Sequence, residues 1–160
     1  MALPLGTFRL RAVPNWLYPP PEVGGIYATY NQPPEIIVGA EVPGLMEHQV
    51  WEVMPSGPPG TDEVMIRTVL LGNDKQFMHN MGVQQNEPVV LGPMKPFKLE
   101  RNRDIHDRII CLIIPIDAPP REVGAIHCIG TDGNMVVTKV VAVDGQTDCP
   151  GWEFVETQHP

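Results

Sequence analysis

The sequence predicts an all-β chain, and three observations point that way. Its 160 residues include nineteen prolines and fifteen glycines, and these gather between short apolar runs as turn signals do. The runs are β-branched or alternate apolar with polar residues, the pattern of half-buried strands. None sustains a helical period, and prolines at 14, 19, 20, 21, 33, 34, 43, 55, 58 and 59 leave no room for a long helix in the first third.

Twelve strands follow in order. Thr7 to Val13 alternates and stops at Pro14, and Ile26 to Thr29 starts after Gly24-Gly25. Ile36 to Val42 lies between Pro34 and Pro43, and Gln49 to Met54 ends at Pro55. Glu63 to Leu70 and Gln76 to Met81 flank the turn residues Gly72-Asn73-Asp74. Pro88 to Leu91, Phe97 to Arg101 and Arg108 to Ile114 are set apart by Gly92-Pro93 and by a polar stretch after Arg101. Val123 to Ile129, Met135 to Val143 and Trp152 to Glu156 complete the set.

The strands repeat. Pro20-Pro21-Glu22-Val23-Gly24-Gly25-Ile26 matches Pro119-Pro120-Arg121-Glu122-Val123-Gly124-Ala125-Ile126, so that Val23 answers to Val123. Arg9 and Arg108 each open a strand, Val42-Pro43-Gly44 matches Val143-Asp144-Gly145, and Trp51-Glu52 matches Trp152-Glu153. The order is kept and the offset stays near one hundred, which leaves space for one further, more diverged unit ending on Phe97. Three four-strand units, roughly 6–55, 62–102 and 107–157, each closing on a core aromatic, make the plan of a β-trefoil. One domain over 1–160 is expected, with one barrel shared by the units.

Composition narrows the function. A net charge of −8 argues against nucleic-acid binding, which needs a basic face. No apolar run reaches the length of a membrane span, and the start lacks the basic segment and apolar core of a signal peptide. Three cysteines cannot all pair within one chain, and there is no Asn-x-Ser/Thr sequon. A cytoplasmic monomer with free thiols is the expectation. Cys111 and Cys128 fall in apolar strands and should be buried, with Cys149 more exposed in a turn. His127-Cys128 is not read as a metal site, because strand alternation sends the two side chains to opposite faces. No Ser/His/Asp or paired-carboxylate arrangement emerges, so neither an enzyme nor a cofactor is expected.

Gly6-Thr7-Phe8-Arg9-Leu10-Arg11-Ala12-Val13, Val23-Gly24-Gly25-Ile26-Tyr27-Ala28-Thr29 and Gln49-Val50-Trp51-Glu52-Val53 together resemble the mycocypins, fungal cysteine-protease inhibitors typified by clitocypin. Gln85-Asn86-Glu87-Pro88-Val89-Val90 and Gly151-Trp152-Glu153-Phe154 extend the likeness over most of the chain. The resemblance implies a β-trefoil that reversibly inhibits papain-like proteases with loops of its first unit. In some members a loop between the fifth and sixth strands also inhibits legumain. The sequence departs from that family in its cysteines and in a longer, aromatic first loop.

That loop is informative in itself. Its prolines favour an extended, stiff conformation before any binding, which lowers the entropy lost on docking. Trp16 and Tyr18 are residue types that often anchor interfaces. The corresponding loop of the third unit, Pro115 to Glu122, has prolines but no aromatic, so the scaffold is expected not to need Trp16 or Tyr18. Val23, Gly24 and Gly25 close the loop. The bland reading of the Gly pair is a tight turn, and Gly124 supports it for Gly24; Gly25, facing Ala125, is expected to be the less structural of the two. The resemblance implies that the bare Gly-Gly backbone covers the catalytic cysteine, since glycine adds no side chain and tolerates positive φ. It also implies that the Pro43–His48 loop, with Gly44, Leu45 and Met46, forms the second half of the wedge.

Leu71-Gly72-Asn73-Asp74-Lys75 reads as an ordinary turn. Through the resemblance, Asn73 and Asp74 become candidates for binding legumain, which cleaves after asparagine, while Lys75 would suit a trypsin-like serine protease instead. A further alternative is a carbohydrate-binding trefoil, because Gln49-Val50-Trp51 fits the Gln-x-Trp signature of ricin-type lectins, though only once in the chain.

Overall fold

Alternation along the first strand dictates the architecture. The computed structural model describes residues 3–21, 24–30, 34–41, 47–69, 76–121, 124–143 and 148–157. Among them run twelve strands: β1 (Gly6–Val13), β2 (Tyr27–Thr29), β3 (Ile37–Gly39), β4 (Val50–Pro55), β5 (Glu63–Thr68), β6 (Phe77–Asn80), β7 (Val89–Gly92), β8 (Phe97–Arg101), β9 (Ile110–Pro115), β10 (Ala125–Asp132), β11 (Met135–Ala142) and β12 (Gly151–Glu156). Each of the twelve expected strands is present, with its ends moved by a few residues.

Six strands close into a ring. Phe8 of β1 faces Trp51 of β4, Val53 faces Ile66 of β5, and Val64 faces Phe97 of β8. Leu99 faces Ile113 of β9, Cys111 faces Trp152 of β12, and Phe154 returns to Leu10 of β1. The inward residues at these contacts form one apolar cluster, and each large side chain fully buried there stabilises the fold by about 1.5–3 kcal/mol. Closure leaves the barrel without an open edge. The other strands form hairpins, β2 with β3, β6 with β7, and β10 with β11. Contacts Met135↔Ile37, Glu35↔Val90 and Pro88↔Val137 tie the three hairpins together. A six-stranded barrel capped by three joined hairpins is a β-trefoil.

The repeat seen in the sequence extends to single hydrogen bonds. The Trp51 indole Nε1 donates to the Ala28 carbonyl at 3.1 Å, and the Trp152 indole Nε1 donates to the Ile129 carbonyl at 2.9 Å. Both indoles are buried, so each donor needs a partner inside the core. Gln49 is buried as well and donates to Thr29 Oγ1 at 3.1 Å and to the Ala40 carbonyl at 3.0 Å. The Gln-x-Trp residues therefore hold the fold together and offer no platform for a sugar.

All three cysteines are free and buried. Cys111 lies in the barrel core, and burial pushes its thiol up to about 12 against the opposing charge of Arg101. Cys149 is, as expected, the least covered of the three, though only 8% exposed, because it packs with Cys128, Leu112 and Val141 in a second apolar cluster. Its Sγ lies 3.8 Å from that of Cys128. The shared hydrogen bond and burial raise the Cys128 thiol; the same bond, with the charge of Arg121, lowers Cys149 against its own burial. Of the two, Cys149 is the readier to ionise. In a titration with a disulfide reagent the native protein should react slowly and at Cys149 first, with all three thiols released on unfolding in urea. Rapid labelling of Cys111 in the native state would contradict this packing.

Candidate functional site

The first loop, from Pro14 to Gly25, is built from its ends inward. Asn15 makes the turn: its Oδ1 accepts from the Leu17 amide at 3.0 Å, its carbonyl accepts from the Tyr18 amide at 3.1 Å, and its Nδ2 donates to Asp148 Oδ1 at 2.9 Å. Trp16 is the foot of the loop. Its amide donates to the Cys149 carbonyl at 2.9 Å, and its carbonyl accepts from Asn102 Nδ2 at 2.9 Å. Its indole packs on the second apolar cluster. On β12, Gly151 leaves the space for it, since a Cβ there would lie 2.7 Å from Trp16 Cβ. The expectation that the scaffold has no need of Trp16 is therefore overturned: half-buried, it fixes the loop to the body and offers a partner only part of its ring.

What projects is the next dipeptide. Leu17 is 53% exposed and Tyr18 is 71% exposed. Tyr18 lies where an anchor residue is expected, and Leu17 is a neighbour that the sequence did not single out. After this apex the proline limb runs back to the barrel, and the Pro20 carbonyl accepts from Arg108 NH1 at 2.7 Å. A mainly apolar cleft of about 420 Å³ lies between Pro20, Pro21 and Ile26 on one side and Pro150 and Trp152 on the other.

The loop closes on two exposed glycines with opposite surroundings. Gly24 has φ +82° and Gly25 has φ +97°, both in the region that only glycine enters freely. A Cβ on Gly24 would meet nothing within 4 Å, whereas a Cβ on Gly25 would lie 2.2 Å from Arg11 Nε. Gly25 is thus the more structural of the pair, the reverse of the expectation drawn from the repeat. The repeat misled because Arg11, beneath Gly25, corresponds in strand register to the apolar Ile114 in the third unit. Gly124, the counterpart of Gly24, has φ +92° and equally open surroundings. Val23 lies outside the described residues.

Beneath the glycines is a buried charge cluster. Arg11 alternates to the outside of the barrel but is covered, and it faces Glu153 directly across the β1–β12 pairing. Arg11 NH1 reaches Glu153 Oε1 at 3.3 Å, while Arg108 makes a two-pronged contact, Nε to Oε2 at 2.7 Å and NH2 to Oε1 at 2.8 Å. Burial pushes the Glu153 carboxyl up, but the hydrogen bonds and charges of Arg108 and Arg11 outweigh it and hold the group below the ordinary carboxylate value. The same contacts make the cluster costly to break, since an ion left buried without its partner is destabilising by about 3–5 kcal/mol.

Gly44, Leu45 and Met46 lie outside the described residues, but the stem of their loop is placed. Glu41 pairs with Arg9 at 2.8 Å, and Arg9 lies 5.0 Å over the Tyr27 ring. On the other side the Tyr30 hydroxyl donates within reach of the Glu47 and Val50 carbonyls, at 3.0 and 2.9 Å. Gly24 and Glu41 line a single cleft of about 320 Å³ together with Arg9 and Tyr27. The two first-unit loops therefore rise from adjoining ground.

Asn73, Asp74 and Lys75 also fall outside the described residues. Their stem is a closed hairpin, with Arg67 of β5 opposite Phe77 of β6 and the Thr68 amide donating to the Gln76 carbonyl at 2.9 Å. Asn80, the other asparagine of this region, is fully buried inside β6, where its Nδ2 donates to the Gly82 carbonyl and to Asp117. Among the described residues no group of three metal-ligating side chains comes together.

Comparison with known proteins matches this arrangement to one family. The family model described as peptidase inhibitor clitocypin aligns with residues 6–154. Clitocypin-5 of Clitocybe nebularis is 33% identical over 153 residues, covering 93% of this chain and 94% of the relative. Clitocypin-4/-3 of the same fungus is likewise 33% identical over 153 residues, and clitocypin-2 is 30% identical over 151 residues, each with the same coverage. A trefoil barrel with a fastened first loop, matched along nearly all its length by these proteins, belongs to the clitocypin family of peptidase inhibitors, and its role is to inhibit rather than to catalyse.

Proposed function

We propose that the protein is a reversible, non-covalent inhibitor of papain-like cysteine proteases that fills the active-site cleft with its two first-unit loops. The observation that carries this reading is Gly24: exposed, at φ +82°, with nothing within 4 Å of where its Cβ would point. A bare backbone held there can approach a protease's catalytic cysteine closely without offering a side chain to its subsites. Leu17 and Tyr18 supply the anchor on one rim. Leu45 and Met46, with Gly44, supply the opposite rim. Two loops are needed, because a protease–inhibitor contact of ordinary size takes about 800 Å² from each partner.

Legumain is the second proposed target, through Asn73 with Asp74 beside it. The closed β5–β6 stem favours this reading, and Asn80, the other asparagine of the region, is committed to internal hydrogen bonds. A panel of papain, a cathepsin, legumain and trypsin tests both proposals. Nanomolar inhibition of papain and the cathepsin is expected, with legumain inhibited independently and trypsin spared. Inhibition of trypsin alone would overturn both and point to Lys75.

A further inference from the structure

We infer that Arg108, acting with Glu153, is a positioning residue that sets the shape of the first loop; the inference deepens the inhibitory reading of that loop and rests on it for its functional part. Arg108 uses its guanidinium on two sides. One edge grips Glu153 through Nε and NH2 at 2.7 and 2.8 Å, and NH1 donates to the Pro20 carbonyl at 2.7 Å. Pro20 belongs to the loop's returning limb, while Glu153 also holds Arg11 at 3.3 Å. The Arg11 guanidinium in turn is the surface on which Gly25 lies, with no room for a Cβ between them. A chain of contacts thus runs from Arg108 to Pro20 directly, and through Glu153 and Arg11 to Gly25.

The geometry suits fixation better than general stability. A planar guanidinium presents donors in fixed, divergent directions, which one ammonium nitrogen cannot reproduce. Pro20 has no amide hydrogen, so its carbonyl is the one hydrogen-bonding group its own backbone offers, and Arg108 takes it. A loop fixed in its bound shape loses less freedom on docking, so the clamp acts on affinity without touching the protease.

The test uses the whole protein, with Arg108→Gln and Arg108→Lys as variants and Arg67→Gln as control. Arg67 makes a similar partly buried ion pair with Glu52, between β4 and β5. Backbone order parameters for Gly24 and Gly25 are read by ¹⁵N relaxation, and association rates with papain by stopped flow. Both glycines should be near 0.85 in the parent and in Arg67→Gln and fall below about 0.6 in both Arg108 variants. The association rate should drop about tenfold alongside, in line with lost pre-organisation. Arg108→Lys keeps the charge beside Glu153, so it stays informative if Arg108→Gln fails to fold. Unchanged order parameters in a folded Arg108→Lys protein would overturn the inference, whatever the inhibition. Order lost with papain inhibition intact would leave the clamp standing and instead remove the first loop from the inhibitory mechanism.

Discussion

Gly24→Glu should weaken papain inhibition by about a hundredfold or more, roughly 2.7 kcal/mol, in a protein that still folds. The substituted residue must keep φ near +82°, and left-handed backbone costs a non-glycine residue about 1–2 kcal/mol. A stable trefoil survives such a cost. In the free protein a Cβ at this position has nothing within 4 Å, so the substitution forces no clash at its root. At the protease it would stand between backbone and catalytic cysteine, losing its water without gaining a partner, and buried unpaired charge is strongly unfavourable. Gly25→Glu is a poorer experiment, because its side chain must first displace the buried guanidinium of Arg11. Inhibition constants and melting temperatures measured together decide the matter. A folded Gly24→Glu protein that inhibits papain as tightly as its parent would sink the mechanism.

Asn73→Ala should abolish legumain inhibition and leave papain inhibition as it was. A pocket specific for asparagine must satisfy both an amide donor and a carbonyl acceptor. Alanine would leave those pocket groups buried and unpaired, at about 1–3 kcal/mol for each; sites built around such hydrogen bonds reject analogues lacking them by about 10⁴-fold. Asn73→Lys should lose legumain in the same way and, with Lys75, bring weak inhibition of trypsin. The two loops leave the barrel from different four-strand groups, so neither substitution should reach the papain constants. Asn80→Ala serves as the contrast: it removes buried hydrogen bonds inside β6 and should lower stability without selectivity for legumain. Full legumain inhibition by Asn73→Ala would show the loop assignment to be mistaken.

The strands were legible because their signals are local. Alternation in β1 and punctuation by proline and glycine fix where a strand can run, and the near-constant offset between Trp51 and Trp152 fixes how the units relate. Strand ends were less so. The expected strand ends at Ile129, yet β10 runs on through Gly130 to Asp132; Pro150 and Lys139 pack so closely there that a Cβ on Gly130 would lie within 3 Å of each. That crowding is tertiary, and nothing near Gly130 in sequence announces it. The site divides in the same way. Tyr18 could be picked out from loop chemistry, and Gly24 only through the family resemblance. The feet of the loop could not, because Trp16 is bound by Asn102 and Cys149, and Pro20 by Arg108, all distant in sequence. Gly25 shows the limit of repeat logic: the third unit conserves the turn but not the arginine beneath it.

Closure of the barrel by β1 and β12 also orders events in time. Phe8 pairs with Glu156, and the Thr7 and Thr157 hydroxyls meet at 2.9 Å, so the seam joins strands from opposite ends of the sequence. As the ribosome delivers the chain, β1 can pair with β4 early, but its other edge must wait until the twelfth strand emerges. Pairings this remote are slow to form, with β-rich domains of such topology taking about milliseconds to seconds, and the delay exposes the nascent protein to aggregation. Both Arg108 and Glu153 arrive late in synthesis, so the first loop, though made early, acquires its hold only when the barrel is complete. A fragment spanning residues 6–55 would therefore carry Tyr18 and both glycines yet lack the frame that shapes them, and grafting this loop onto another scaffold would require its distant arginine to travel with it.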